Sequence, residues 1–552
     1  MHTLTGVNVL SDVLLRTARL FPEKPAFTHA GSTLTYAQLD RLSTQVAGYL
    51  QFTGTLSRQD RVALMLPNLL HYPVAMFGAM KAGMIVVNIN PNFGEAELRH
   101  ILRDSGARVL ITLQECLDRV EAVINETSIA EVIAADVLDL HPLSQRAFTR
   151  FMGLPRKYRR FKSVLPHLIS FRKVLRIGQA ELYVHESISP DDIALLQYTG
   201  GTTGDAKGAI LKHRHLIANM NQLCGLFEND LNTGSEVVVA PMPLYHIYSF
   251  TLHCLMMIAF AARMVLIPDW RDRDLLVEEL GRYPCTFFAG LNTLFVGLCH
   301  HPNFLQLDFS ALKITCSGGA PLSESTAIEW RRITGCPLVE GYGLTEASPV
   351  ISVNYPPSDK FTGSVGKPLT QTECKVLSEE GDVLSYGEKG ELWVKGPQVI
   401  NRYWNMPKET EVSIQEGWLE TGDIVLMNQA GEIHIIDRKS DIINVSGFPV
   451  YPSELEKVIS CHPDIKECAV IGLPDEATGE QIKLYVVSSN PRLNVRDIRE
   501  YCRERLTSYK VPRLVEFKQH LPHTPVGKVL RRQLRDEALA VHVSSPLSTS
   551  YF

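Results

Sequence analysis

The densest chemistry in the chain lies at residues 195–210, LLQYTGGTTGDAKGAI, where an apolar run opens into glycines, hydroxyls and a lysine. Gly200, Gly201 and Gly204 lack a Cβ, so backbone N–H groups there can curl around phosphate oxygens. Thr199, Thr202 and Thr203 add hydroxyls suited to a phosphate or to magnesium, and Lys207 follows with a cation. No G-K-[S/T] ends the segment, which separates it from the P-loop of nucleotide hydrolases. On these residues alone two readings stay open, a phosphate cradle or an ordinary Gly/Thr turn.

The string resembles the signature of the adenylate-forming superfamily, YTSGTTG-x-PKG. In its YTGGTTG-x-AKG form it is similar to bacterial long-chain fatty-acid–CoA ligases. Asp205-Ala206 stands where the family has x-Pro, which should alter loop rigidity more than chemistry. Further matches follow in the family's order: KAGMIVVNINP (81–91), PLYHIYSF (243–250), SGGAPLSE (317–324), EGYGLTE (340–346), GWLETGD (417–423), DRKSDIINVSGFPVYPSELE (437–456) and VGKVLRR (526–532). The resemblance runs from about residue 10 to 537. It implies an acid–thiol ligase with two steps. Fatty acid and ATP give acyl-AMP and pyrophosphate; acyl-AMP and CoA then give acyl-CoA and AMP, with Mg2+ as cofactor.

The first step brings a carboxylate against the α-phosphate of ATP, so catalysis is chiefly positioning and charge neutralisation. The resemblance implies that Glu346 and Thr202 hold the magnesium, a hard cation that prefers oxygen. Thr345 would hydrogen-bond the α-phosphate, and Tyr342, between Gly341 and Gly343, would lie against the adenine. Gly318, Gly319, Ala320 and Pro321 would form the other wall of that slot. Thr199, Gly200, Gly201, Thr202, Thr203, Gly204 and Lys207 would cradle the phosphates, and Asp423 would hold the ribose hydroxyls with Arg438 alongside. Lys528 would supply the point charge for the first half-reaction. His246 would orient the carboxylate, and Phe250 would gate the acyl tunnel. For the second half-reaction, Ser446, Gly447 and Phe448 would border the CoA path, Gly447 leaving room for the pantetheine arm. The hinge position is Ser440, where relatives have Asp or Lys. Without the resemblance, Asp423 is a turn residue, Lys528 a surface lysine and His246 a satisfied core histidine. Relatives have Gly before Tyr-Trp; here Arg402 precedes Tyr403-Trp404, with no functional account.

The elements that must position these residues alternate strand and helix over the first ~270 residues, as α/β layers do. RVALMLPN (61–68) and MIVVNINP (84–91) flank a helical stretch over 72–83. ARVLIT, EVVVAP, RMVLIP, CTFFAG and LKITCSGG continue the strand series to residue 319. Parallel sheets with crossover helices follow, with ligands beyond the carboxyl ends of the strands. After about residue 360 short strands and Gly-rich turns predict a β-rich subdomain. After 441 a strand–strand–helix–strand unit predicts a small mobile C-terminal α/β domain. The expected division is 1–437 for nucleotide and acyl binding, 438–441 as hinge, 442–540 as lid and 541–552 as a disordered tail.

At 552 residues the chain is too long for one compact domain. A net charge of −5 argues against general nucleic-acid binding. Eleven cysteines without a C-x-x-C pair suggest a reducing compartment and neither disulfide framework nor zinc site. The first residues lack the pattern of a signal peptide. The longest uninterrupted apolar run, 254–262, is far short of the ~20 residues of a spanning helix, so a buried helix followed by a strand is expected there. The expected location is the cytoplasm. Residues 140–180 carry ten Lys/Arg and no Asp/Glu, so the rest of the chain carries −15. Aromatics interleave those bases, and two readings stand for the stretch 150–176: peripheral contact with the inner face of a membrane, or a solvated surface.

A buried acyl chain contributes ~0.8 kcal/mol per methylene, about ten for a dozen, so preference among medium and long chains should be graded. Three rivals share parts of the pattern. They are a fatty-acyl-AMP ligase feeding a carrier protein, an aryl or short-acid CoA ligase, and a membrane-associated fatty-acid binding protein without turnover. Thr202, Glu346, Asp423 and Lys528 argue against the last, since binding a fatty acid needs no phosphate-directed groups.

Overall fold

Runs such as Val62-Ala63-Leu64 and Val109-Leu110-Ile111 are apolar without alternation, the pattern of strands covered on both faces. In the computed structural model these side chains are at most 1% exposed. The structure describes residues 6–52, 56–142, 165, 167–199, 206–358, 360–524 and 528–544. Two units are formed, Met1–Glu373 with Val394–Leu419, and Cys374–Trp393 with Glu420–Phe552.

The first unit holds two large sheets. One has seven strands in the order Ile169–Ser170, Glu131–Ala135, Val109–Leu113, Arg61–Met65, Ile85–Asn88, Ile193–Thr199 and Lys207–Lys212. Its neighbours run parallel except the last pair, an antiparallel ribbon that brackets the Gly/Thr segment. The connecting helix His71–Lys81 is buried along its whole length. Helix Glu95–Ser105 is instead amphipathic; it begins with Glu97 accepting the Gly94 N–H and ends on Gly106 at φ 59°. The second sheet has nine strands in the order Lys367–Pro368, Val350–Val353, Leu338–Gly343, Ile314–Gly318, Phe287–Gly290, Val237–Ala240, Arg263–Leu266, Pro25–His29 and Ser32–Thr35. Its central strands are parallel, and antiparallel pairs close both edges. The apolar stretch after residue 250 forms a buried helical turn, Phe250–Met256, of the wide i→i+5 kind, before strand Arg263–Leu266.

In the second unit, strand Ile433–Arg438 and most of strands Glu373–Leu377, Lys389–Lys395 and Trp418–Met427 form a β-rich layer. Beyond it, Ile465–Asp475 and Gly479–Ser488 make a long antiparallel pair, joined by Leu514–Phe517. Side chains alternate across these strands. Val470 and Leu484 meet Leu455, Ile459, Ile498 and Cys502 on one face. Ala469, Ile471 and Tyr485 meet Leu534 and Ala538 on the other. Helices thus cover both faces of this small sheet.

The units divide differently from the expected boundary at 437. Residues 374–393 and 420–438 cluster with 442–540, and named contacts account for it. The Ser453 N–H donates to Asp437 at 2.7 Å, Arg531 pairs with Asp437 and Asp441, and Lys439 pairs with Glu391 and Glu420. The expected tail is also shorter, because helix Arg531–Ser544 includes residues 541–544; residues 545–552 lie outside the described ones.

Candidate active site

Parallel sheets deliver loops at the carboxyl ends of their strands, and the first unit places its expected site residues there. Strands Ile314–Gly318 and Leu338–Gly343 are neighbours, with Gly318 directly opposite Gly341. The segment Gly318-Gly319-Ala320-Pro321 and the segment Gly341-Tyr342-Gly343 therefore leave the sheet side by side. Glycine is required at several of these positions. A Cβ on Gly343 would sit 2.0 Å from the Pro349 carbonyl, and Gly319 holds φ 79°. The Tyr248 ring packs against Gly318, 3.2 Å from where a Cβ would be. Buried Glu340 accepts the Leu322 N–H at 3.2 Å and so ties the Ala320-Pro321 turn back to the adjoining strand. Burial pushes the Glu340 carboxyl up to about 7, with that N–H opposing.

Thr345 and Glu346 follow in a short 3-10 turn, both half-buried. The Tyr403 hydroxyl donates to Glu346 Oε1 at 2.9 Å, and the Ile400 N–H donates to the Glu346 carbonyl at 2.8 Å. Lys207 stands 5.7 Å over the Tyr403 ring and pairs with Glu409. Tyr403 therefore joins Glu346 to Lys207, a role that sequence reasoning did not assign. Trp404 reinforces the junction, its N–H donating to the Gly208 carbonyl at 2.8 Å. Arg402 is exposed, and nothing in the structure explains it. Thr199 ends its strand with its hydroxyl directed to the Lys207 carbonyl at 3.4 Å. Gly200, Gly201, Thr202, Thr203 and Gly204 lie outside the described residues.

His246 follows the carboxyl end of strand Val237–Ala240 and caps the turn Ile247–Ser249, its Nδ1 accepting the Tyr248 N–H at 3.3 Å. It is half-buried, so it is not a core histidine. Phe250, at the start of the wide helical turn, is fully buried in the large core.

The second unit collects a different group. Asp423 and Arg438 face each other across adjacent antiparallel strands, and Arg438 Nε pairs with Asp423 Oδ1 at 2.8 Å. Lys528 sits in a turn closed on itself: its N–H donates to Thr524 Oγ1 at 3.0 Å, and the Thr524 N–H donates back to its carbonyl at 2.7 Å. Its side chain keeps exposed surface, yet atoms crowded about the ammonium, and then the Arg438 charge, lower its pKa, while Asp423 raises it. The structure thus brings Lys528, Arg438 and Asp423 into one electrostatic neighbourhood from sequence positions 90 to 105 apart.

Ser440 is exposed within the 3-10 turn Lys439–Asp441. Ser446 and Gly447 both hold left-handed backbone, φ 53° and 83°, with open space where a Gly447 Cβ would be. Phe448, 57% exposed, lies against Tyr509 with ring centroids 5.3 Å apart.

Magnesium takes one or two carboxylates and completes its shell with phosphate oxygens and water. Glu346 fits that demand, a single carboxylate with one oxygen oriented by Tyr403. Among the described residues no cluster of three His, Cys, Asp or Glu side chains could hold a metal. No helix among them is long and apolar enough to cross a membrane.

Residues 14–404 match the model of the AMP-binding enzyme family, and residues 454–528 match the AMP-binding enzyme C-terminal domain. The chain is 44% identical to a long-chain-fatty-acid–CoA ligase of Escherichia coli O157:H7, over 96% of this chain and 94% of that one. It is 35% identical to the protein of that name in Bacillus subtilis, over 97% and 95% of the two chains. An anthranilate CoA ligase solved in complex with anthranoyl-AMP superposes with a TM-score of 0.83 at 26% identity, covering 97% of this chain and 98% of that one.

Proposed function

The chain belongs to the AMP-binding enzyme family, and from that membership we propose that it is an ATP-dependent ligase joining medium- and long-chain fatty acids to CoA. The observation that carries the reading is the Asp423–Arg438 pair with Lys528 beside it. An acidic acceptor for ribose hydroxyls next to a cation for the α-phosphate is of no use to a protein that merely stores a lipid.

In the first half-reaction the slot between Gly318–Pro321 and Gly341–Gly343 receives the adenine, with Tyr342 against the ring. Asp423 accepts from the ribose hydroxyls, and Arg438, paired with that carboxylate, keeps it aimed. Thr345 donates to the α-phosphate, and His246 orients the acyl carboxylate. Lys528 offsets the charge that accumulates as the carboxylate oxygen attacks phosphorus and pyrophosphate departs. The segment Thr199 to Gly204 and Lys207 hold the outer phosphates. Glu346 and Thr202 would hold magnesium, which would supply further charge neutralisation on the phosphates.

In the second half-reaction the thiol approaches past Ser446, Gly447 and Phe448. Residues 438–441 act as a hinge about Ser440, and residues 442–540 as the lid that exchanges Lys528 for this turn. Phe250 lines the acyl tunnel; the names of the Escherichia and Bacillus relatives favour long chains.

Residues 150–164 of the basic stretch lie outside the described ones. Helix Phe171–Ala180 presents Arg172, Lys173 and Arg176 to solvent, which supports peripheral contact with the anionic inner face of a membrane. Sedimentation with anionic vesicles should carry the protein down at low salt, and reversal of those three charges should release it. Sedimentation unchanged by the reversal would exclude this helix as the contact.

The reading is tested by supplying ATP, magnesium, CoA and single acids from C2 to C18, with benzoate. Pyrophosphate release and a fatty-acyl thioester are expected. Acyl-AMP without thioester would favour carrier-protein transfer, a benzoyl thioester alone would favour an aryl-CoA ligase, and no AMP with any acid would end the ligase reading.

A further inference from the structure

The segment that carries His246 reads APMPLYH, residues 240–246. Pro241 and Pro243 fix φ and offer no N–H, so the segment is poorly suited to pairing as a sheet strand. Ala240, Met242 and Leu244 are nonetheless buried, and buried backbone groups require partners. Asn68 supplies three at once. Its side-chain nitrogen donates to the Ala240 carbonyl at 3.1 Å and the Met242 carbonyl at 2.9 Å, and its oxygen accepts the Leu244 N–H at 2.8 Å. Alternate residues of an extended run present their backbone groups to one side, so this one carboxamide stands in for a neighbouring strand.

The next residue is held by a second amide. Gln197 donates from Nε2 to the Tyr245 carbonyl at 3.2 Å, and its Oε1 accepts from Asn88 at 3.0 Å. Asn88 in turn accepts the Tyr72 hydroxyl at 2.8 Å, which fixes the far end of the chain of hydrogen bonds. Asn68, Asn88 and Gln197 are all buried. Gln197 and Asn88 lie on adjacent strands of the seven-stranded sheet, and Asn68 follows a third strand of it, Arg61–Met65. The segment they hold leaves strand Val237–Ala240 of the nine-stranded sheet. Gln197 lies two residues before Thr199, where the phosphate-binding turn begins. Because the Tyr248 N–H occupies His246 Nδ1, the neutral ring carries its own proton on Nε2, the donor it offers a carboxylate.

We propose that Asn68 and Gln197 are positioning residues for adenylation. They clamp the His246 segment to the sheet that bears the phosphate-binding turn, and so fix the acyl carboxylate relative to the α-phosphate. The proposal rests on the reading that His246 orients that carboxylate. Attack requires the reacting atoms to be held about 3–3.5 Å apart, and a displacement of about 1 Å can cost a hundredfold in rate. The clamp therefore acts on kcat of the first half-reaction and not on the affinity for ATP.

Two independent substitutions test it in the full-length enzyme. Gln197→Glu keeps the acceptor for Asn88 and loses the donor to Tyr245. Asn68→Asp keeps the acceptor for Leu244 and loses both donors. Each should lower kcat for acyl-AMP formation by roughly ten- to a hundredfold, with KM for ATP unchanged. Placed in a His246→Ala background, neither should lower kcat further, because a positioning residue acts only through the group it positions. Losses that multiply with that of His246→Ala, a wild-type kcat in both single variants, or a KM for ATP that rises with the loss would each overturn the proposal. A His246→Ala enzyme with wild-type kcat would instead overturn the role of His246 itself, so the two failures are told apart by that single variant.

Discussion

A primary ammonium is useful between a carboxylate and a phosphate only while it stays charged, and two neighbours of Lys528 act on that charge in opposite directions. Local crowding and Arg438 favour the neutral amine, whereas Asp423 favours the ammonium. The depressing effects dominate, so the charge is lost at a lower pH than the ordinary lysine value of 10.5. Acyl-AMP formation should therefore fall on its alkaline limb below that value, while thioester formation from supplied acyl-AMP should not share the limb. Lys528→Ala should abolish the first step, by a thousandfold or so for loss of a transition-state charge, and spare the second. Equal loss of both steps would refute the role. Glu340 titrates in the opposite sense. Its folded pKa of about 7 lies above the 4.5 of a free glutamate, so its contribution to stability is full below pH 4.5 and is lost as pH rises through 7. Glu340→Gln keeps an acceptor for the Leu322 N–H without the buried charge. The variant should be about 3 kcal/mol more stable than wild type at pH 8, a difference that vanishes toward pH 4.5 in urea unfolding. A gap that does not change with pH would mean the carboxyl keeps the ordinary glutamate pKa in the fold.

Strands carried the most legible part of the molecule, because fully apolar runs can only be strands buried on both sides or core helices. The positions of Gly318, Gly343, Thr199 and His246 at or beyond strand ends follow from that pattern. What sequence could not reveal depends on long-range approach. Tyr403 reaches Glu346 across 57 positions, and no local pattern says which aromatic hydroxyl will meet which carboxylate. The phosphate-binding turn was the plainest motif, yet five of its expected residues fall outside those described. The unit boundary was hidden for the same reason as Tyr403. It is set by Arg531, whose guanidinium meets Asp441 at 2.9 Å, Glu456 at 2.6 Å and Asp437 at 3.7 Å. In sequence Arg531 is one of two arginines at a helix start. Its removal would strand Glu456 and Asp437, two carboxylates whose pKa burial already raises. Arg531→Ala should cost about 3–5 kcal/mol in urea unfolding. A loss under 1 kcal/mol would show that these carboxylates are satisfied by other means.

At the scale of the molecule, one chain must present two chemistries to one acyl group, an ammonium first and then a passage for a thiol. Lys528 and Gly447 both lie beyond the proposed hinge, on different turns of the same unit, so they can be exchanged only by backbone rotation before residue 442. Ser440 suits that task because its side chain is exposed and, among the described residues, makes only a 3.3 Å hydrogen bond to its neighbour Asp441. Lys439 on one side and Asp441 on the other are held by ion pairs, so rotation must break some of these contacts or carry them along. Proline at position 440 would fix φ and remove the freedom that a hinge needs. The chain would then be held with Lys528 beside Asp423 and Arg438, the arrangement suited to adenylation. Ser440→Pro should therefore retain acyl-AMP formation within a fewfold, while thioester formation from supplied acyl-AMP falls by a hundredfold or more. Stopped-flow pyrophosphate release and thiol consumption measure the two steps separately. If both survive, rotation is centred elsewhere, and the ion pairs around Lys439 and Asp441 become the place to look for it.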